Sequence, residues 1–259
     1  MKRRLITPNL KDFPTRLAPF LSGVPIYDSS SSPEARVFYI ERDGGYFLKR
    51  SAVGVLKKEA EMTEYFNSLG LSSTVVDYFS DECDWLLTRR IKGEDLTHYT
   101  DNEAKLCDRL AEILRELHER DYTDCPIKNR TEDYLNTARK NYAAGIFDTT
   151  LFGERAPFEN PQEAMRFVEA ECHRLKSDTL LHGDFCLPNV IMDGDSFSGF
   201  IDLGGGGVGD RHIDIFWGAW TLNFNLKTDR YRERFYDAYG RDRIDEELVR
   251  LVSVIEMFG

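Results

Sequence analysis

The stretch Leu180–Gly205, LLHGDFCLPNVIMDGDSFSGFIDLGG, sets Asp184 beside His182 and Gly183, places Asn189 five residues later and adds Asp202 thirteen beyond that. Two carboxylates and an amide are hard oxygen donors. Such donors suit Mg²⁺, which takes one or two protein carboxylates and completes its shell with waters and phosphate oxygens. Phosphoryl transfer needs that metal, a positioned hydroxyl and a cation on the nucleotide side. Taken singly, an Asp or Asn in a loop is ordinarily a turn former or a cap. The set HGD-x4-N followed by ID at this distance is specific, and it repeats the Asp-to-Asn spacing of the protein-kinase catalytic loop. The apolar run before Asp202 predicts a strand over Phe200–Leu203, with the carboxylate exposed at a strand end.

A nucleotide-side cation should come from a different part of the chain. Lys49 in YFLKR ends an alternating strand, and Glu59 in the following helix is placed to pair with it, as the strand Lys and helix Glu of kinases do. The SSSSP tract, Ser29–Pro33, would cover the phosphates, although it has no GxGxxG pattern.

The elements that must position these residues follow from periodicity. ARVFYIERDGGYFLKR (Ala35–Arg50) reads as a hairpin about RDGG. Leu56–Gly70 reads as a helix with Gly70 as its C-terminal stop. Strand-like runs return at Val75–Phe79 and Trp85–Thr88, and Gly93 breaks the pattern. Asp101–Asp121 carries Leu106, Leu110, Ile113, Leu114 and Leu117 on one face, a helical period. Asn160–Leu175 opens with an Asn cap and a Pro. A short strand is expected over Asn189–Met192, and helices return from about Ile213. The outline is α+β: a small β-rich lobe with one main helix over residues 1–92, hinge included, and a larger, mostly helical lobe over 93–259.

Composition narrows the partners. The 259 residues carry a net charge of −11, but residues 1–90 hold 13 Lys and Arg against 12 Asp and Glu, so the remainder carries −12. Acidity of that order disfavours nucleic acid, whose phosphates it would repel; it serves either solubility or a cleft that attracts a cationic small molecule. No apolar run is long enough to span a bilayer. The charged start MKRRLITPNLKDFP lacks the apolar stretch of a secretory signal. Five cysteines without CxxC pairing argue against a disulfide framework. A cytoplasmic location is the expectation, with neither membrane nor nucleic acid as partner.

HGDFCLPNV, FSGFIDLG, VGDRHID, YTDCPIKN, APFENP and the closing IEMF together resemble the aminoglycoside 3′-phosphotransferases, enzymes of the protein-kinase-like fold related to choline kinases. The resemblance covers nearly the whole chain. It implies a bilobal enzyme, with a small antiparallel-sheet lobe for nucleotide and a helical lobe for the acceptor. Such an enzyme transfers the γ-phosphate of ATP or GTP to an aminoglycoside hydroxyl with Mg²⁺, which gives antibiotic resistance. By the same resemblance Asp184 is the catalytic base, and Asn189 and Asp202 hold the metal. Lys49, braced by Glu59, contacts the phosphates, and Ser32 lies in the loop over them. Phe47 stacks on the base, Thr88, Arg89 and Ile91 belong to the hinge that meets it, and Ile201 closes the pocket from below. Asp214 braces the catalytic loop through backbone hydrogen bonds. Glu256, Phe258 and Glu154 belong to the acceptor site.

Departures from the family pattern fall on acceptor recognition and on support around the site. Gly205 and Trp220 stand where the family usually has arginines. The acidic pair before the closing Phe is reduced to Glu256, preceded by Ile255, and FDTTLFGERAPF offers only Asp148 and Glu154. An aminoglycoside is the leading acceptor. A kinase of an amino alcohol or a sugar is the alternative, and a nucleotide-binding regulatory module with little turnover is the third reading.

Overall fold

The computed structural model describes residues 3–31, 35–152 and 156–259. The chain divides into two compact units, Met1–Asp95 with Pro188–Gly204, and Leu96–Leu187 with Gly205–Gly259.

The first unit opens with β1 (Arg4–Ile6), a short helix α1 (Ala18–Leu21) and β2 (Ile26–Asp28). The hairpin β3 (Arg36–Ile40) and β4 (Tyr46–Ser51) follows, then α2 (Lys57–Ser68), β5 (Val75–Ser80), β6 (Asp84–Arg89) and β7 (Glu94–Asp95). Six strands make one antiparallel sheet in the order β1-β2-β3-β4-β6-β5. The RDGG turn forms as its residue types require. Asp43, Gly44 and Gly45 take φ of 47°, 91° and 103°, a region glycine enters without penalty. Alternation along β4 then sorts its side chains. Tyr46 and Leu48 are buried with Phe38, Ile40, Trp85 and Leu87 on one face. Phe47 and Lys49 point to the other, the face that carries the site.

Helix α2 runs from Lys57 to Ser68, and Gly70, at φ 72°, ends it. Its start is pinned by Asp84, a fully buried carboxylate that accepts from the Leu56 amide at 2.9 Å and from the Ser80 hydroxyl at 2.6 Å. That bond links the register of β6 to the helix that carries Glu59.

The second unit begins with α3 (Glu103–His118), α4 (Arg130–Ala143), α5 (Pro161–Glu171) and β8 (Thr179–Leu181). Asn102 caps α3 and Asn160 caps α5, each through its side-chain oxygen. The five apolar residues read as one face of α3 are all buried.

β9 (Val190–Asp193) and β10 (Ser196–Phe200) come next in the chain, yet they group with the first unit. β9 pairs β7, and the Phe200 amide donates to the Leu71 carbonyl at 2.8 Å. Gly93 permits this: a Cβ there would lie 2.0 Å from the Met192 carbonyl oxygen. The strand expected over Phe200–Leu203 instead ends at Phe200, after a bulge between Phe197 and Gly199. Asp202 therefore sits beyond the strand, in left-handed conformation at φ 59°.

The second unit closes with β11 (Gly207–Gly209), paired to β8, and with α6 (His212–Leu226), α7 (Arg232–Tyr239) and α8 (Glu246–Ile255). Among the described residues no helix is long and apolar enough to cross a membrane.

Candidate active site

In the first unit one pocket is lined by Phe47, Lys49, Glu59, Thr88, Arg89, Ile91, Ile201 and Asp202. Lys49 is its centre. The ammonium donates to Glu59 Oε1 at 2.5 Å and to Asp202 Oδ1. Burial by itself would make the lysine easier to deprotonate, but the carboxylates of Asp202 and Glu59 more than offset it and hold the ammonium above its ordinary value. Burial likewise pushes the Glu59 carboxyl up, and Lys49 pulls against that shift. Phe47 lies half-buried on the pocket face of β4, with its ring centroid 5.3 Å from that of Tyr39 across the hairpin. Asn189 is buried, and its backbone carbonyl accepts from the Ile201 amide at 3.1 Å, which fixes the base of β9 beside the turn carrying Asp202.

The Arg89 amide already donates to the Thr74 carbonyl at 3.0 Å and the Arg90 amide to Gly45 at 2.9 Å. A base would have to be met by other backbone groups of this stretch. Thr63, one turn after Glu59 on α2, and Ile191 also line the pocket and were missed. Thr63 shares a face with Glu59 by helical spacing, and Ile191, buried like Val190 and Met192, points to the opposite face of β9 from them. Each signal was in the sequence once the element was known.

In the second unit the turn carrying Asp184 is rigidly held. Asp214, fully buried, accepts from the His182 and Gly183 amides, both at 2.7 Å. His118 Nε2 lies 3.2 Å from the same carboxylate, and its Nδ1 lies 2.8 Å from the Tyr239 hydroxyl. A carboxylate only accepts, so Nε2 carries the proton. Burial holds His118 below its ordinary value, so the neutral ring accepts from Tyr239 through Nδ1. Gly183 takes φ 84°, and a Cβ on it would lie 1.8 Å from the Gly205 carbonyl oxygen. The turn is therefore pressed against the backbone at Gly205, with Asp184 half-buried at its tip.

Glu256 follows α8. It accepts from the Tyr134 hydroxyl at 2.7 Å and from Trp217 Nε1 at 3.0 Å. Burial pushes its carboxyl up to about 7, against the hydrogen bonds from Tyr134 and Trp217 and the charge of Arg130, while Asp184 adds to the rise. Phe258 does not fit a ligand-lining role. Its side chain is fully buried, with its ring centroid 5.7 Å from that of Tyr142 and 5.3 Å from that of Phe147. It packs the wall that carries Glu256 rather than offering a surface. Asp148, exposed, lies against the same turn through its amide, which donates to the Met257 carbonyl at 2.7 Å. Trp220 gives its indole N–H to the Leu151 carbonyl at 3.2 Å. Ser32 and Glu154 lie outside the described residues.

The sequence profile of the phosphotransferase enzyme family matches residues 30–251. A probable aminoglycoside 3′-phosphotransferase of Lactococcus lactis is 49% identical over 255 residues, 97% of either chain. The chain belongs to the aminoglycoside phosphotransferase family. An aminoglycoside 3′-phosphotransferase of Streptomyces fradiae shares 29% identity over 92% of this chain and 91% of its own. The solved aminoglycoside phosphotransferase of Streptomyces rimosus, in complex with ADP and streptomycin, superposes with a TM-score of 0.76 at 21% identity, covering 97% of this chain and 99% of that one. That likeness is one of fold, the protein-kinase-like α+β fold of this family. The chain is accordingly a phosphotransferase acting on a hydroxyl group.

Proposed function

We propose that this family member transfers the γ-phosphate of ATP to the 3′-hydroxyl of an aminoglycoside and so inactivates the antibiotic. The observation that carries the reading is the Lys49 ammonium held between Glu59 and Asp202 in the pocket lined by Phe47 and Ile201. A nucleotide's phosphates would meet a fixed positive charge there, with an aromatic and an aliphatic side chain for its base. The adenine nucleotide in the Streptomyces rimosus enzyme favours ATP over GTP as donor.

The donor set fits Mg²⁺. Asp202 offers a carboxylate and Asn189 an amide oxygen, both hard, and among the described residues no trio of His, Cys, Asp and Glu forms a closed metal cage. A site with few protein ligands, completed by phosphate oxygens, is what Mg²⁺ uses with nucleotides. When bound, the ion would neutralise charge that develops on the phosphates. The chain's own residues do the rest. Lys49 holds the phosphates and Glu59 holds Lys49. Asp184, on a turn that Asp214 locks, orients the acceptor hydroxyl and takes its proton. Glu256 and the exposed Asp148 attract acceptor ammonium groups.

ADP release measured across a panel of aminoglycosides, amino alcohols and sugars tests this. Stimulation by aminoglycosides with a free 3′-hydroxyl is expected. Stimulation by an amino alcohol or a plain sugar alone would move the acceptor to that class, and no stimulation by any would leave a nucleotide-binding module.

A further inference from the structure

The backbone leaves Gly205 no room for a side chain. A Cβ on Gly205 would lie 2.8 Å from the Gly183 carbonyl oxygen and 3.2 Å from its Cα. A guanidinium nevertheless reaches this place. Arg130, the first residue of α4, donates its Nε–H to the Gly205 carbonyl. Glycines on β11 make the space it runs through: a Cβ on Gly207 would lie 3.1 Å from Arg130 Cβ, and one on Gly209 would lie 3.3 Å from it. The guanidinium carbon lies 5.5 Å from the centroid of the Tyr134 ring, whose hydroxyl holds Glu256.

We infer that Arg130 is a positioning residue for phosphoryl transfer, reaching from α4 to do what a side chain at Gly205 cannot: it pins the Gly205 carbonyl beside the turn that presents Asp184, and it sets a permanent positive charge near Glu256. The inference rests on Asp184 and Glu256 acting as proposed above. The two effects are separable by chemistry. Pinning needs an N–H at the carbonyl, whereas the effect on Glu256 needs only charge. The titratable and charged groups that bear on Glu256 include Tyr134 and Arg130 on α4 and Asp184 on its turn. Of these, only Arg130 is a cation, and a guanidinium stays charged at every working pH.

The test uses the full chain, ATP and kanamycin A, an aminoglycoside with a free 3′-hydroxyl. Arg130→Gln keeps a donor and loses the charge, whereas Arg130→Lys keeps the charge and loses the planar fork. Arg130→Lys should lower kcat about tenfold, the scale of one impaired charge-assisted hydrogen bond, and Arg130→Gln, whose amide N–H stands where Nε–H does, should lower it less. Only Arg130→Gln should move the acidic limb of kcat/KM upward, by about half to one pH unit, because only there does Glu256 lose its cation. Parent-like kcat and limb in both variants would overturn the inference. So would equal losses of kcat with the limb unmoved, the pattern of a residue that only supports the fold. If the parent itself turns over no aminoglycoside, the functional reading fails, and titration of the Glu256 carboxyl by carbon-13 NMR decides the inference without turnover. An upward midpoint in Arg130→Gln alone supports it, and the same midpoint in all three proteins overturns it.

Discussion

Two carboxylate sites in this chain solve the same problem in opposite ways. In the first unit Glu59 and Asp202 share the Lys49 ammonium, and the two carboxylates more than offset burial at that ammonium, although burial still raises the Glu59 carboxyl against the pull of Lys49. In the second unit Glu256 faces two neutral donors, Tyr134 and Trp217, and burial wins, so its carboxyl titrates at about 7. Pairing with two carboxylates holds the Lys49 ammonium charged across the physiological range, whereas neutral hydrogen bonds leave on Glu256 a charge that pH can remove. The Lys49 charge should therefore be indifferent to pH near neutrality and the Glu256 charge should not.

The largest expected effect separates chemistry from both sites. Asp184→Ala should lower kcat by about 10²–10⁴-fold, the usual contribution of a general base. Nucleotide and acceptor affinities should persist, because neither binding region loses a group. Near-parent turnover would remove Asp184 from the reaction. Next comes the paired cluster. Lys49→Met and Glu59→Ala should each reduce transfer, and their double-mutant cycle should show a coupling of about 0.5–3 kcal/mol, as expected of contacting residues. Strict additivity would mean that the pair seen here does not act as a unit. Asp202→Asn should weaken Mg²⁺-dependent nucleotide binding in calorimetry, since one anionic hard ligand is lost.

How legible each region was in the sequence follows the same division. The Lys49, Glu59 and Asp202 cluster was readable because each residue sits at a fixed offset on a strongly patterned element: an alternating strand after RDGG, the first turn of a helix, and the ID that follows an apolar run. Even there the backbone defied the pattern. The bulge in β10 ends the strand early, and Asp202 takes a left-handed conformation, which Asp tolerates better than most residues but which the apolar strand pattern does not announce. The surroundings of Glu256 were not readable. Tyr134 and Trp217 lie 122 and 39 residues away from it, and only packing of α4 and α6 against the closing turn brings them together. Phe258 was misassigned for the same reason, since a motif gives an aromatic residue's position but not which way its ring is packed. Arg130 was not singled out at all, because nothing local links the start of α4 to a glycine 75 positions on.

Glu256→Gln probes the pH-sensitive region directly. Above pH 7 the variant lacks the negative charge the parent offers to an acceptor ammonium, and KM should rise about 10–100-fold, the range for a hydrogen bond to a charged group. As pH falls through about 7, the parent's own carboxyl becomes protonated and the two enzymes should converge. A KM ratio that stays constant from pH 6 to 8.5 would contradict a titrating Glu256. Raising salt should lift the parent's KM through screening of the same charge.

The smallest expected effect is the most discriminating between the two regions. Tyr134→Phe deletes one neutral donor, 2.7 Å from the Glu256 carboxyl, and leaves the ring. The hydrogen bond favours the carboxylate, so its loss should raise the pKa of Glu256, and acceptor binding should fail at a higher pH than in the parent. A net hydrogen bond contributes about 0.5–1.5 kcal/mol and one pKa unit corresponds to about 1.4 kcal/mol, so the acidic limb of kcat/KM should move up by about one unit or less. At pH 8.5, where Glu256 is ionised in the parent and largely so in the variant, kcat/KM should return to near the parent's value. The Lys49 ammonium, held above its ordinary value by its carboxylates, gives no limb near neutrality to shift. If Tyr134→Phe lowers activity equally at every pH, the hydroxyl serves the packing of α4 rather than the charge of Glu256, and the contrast between a paired and an unpaired carboxylate loses its acceptor half.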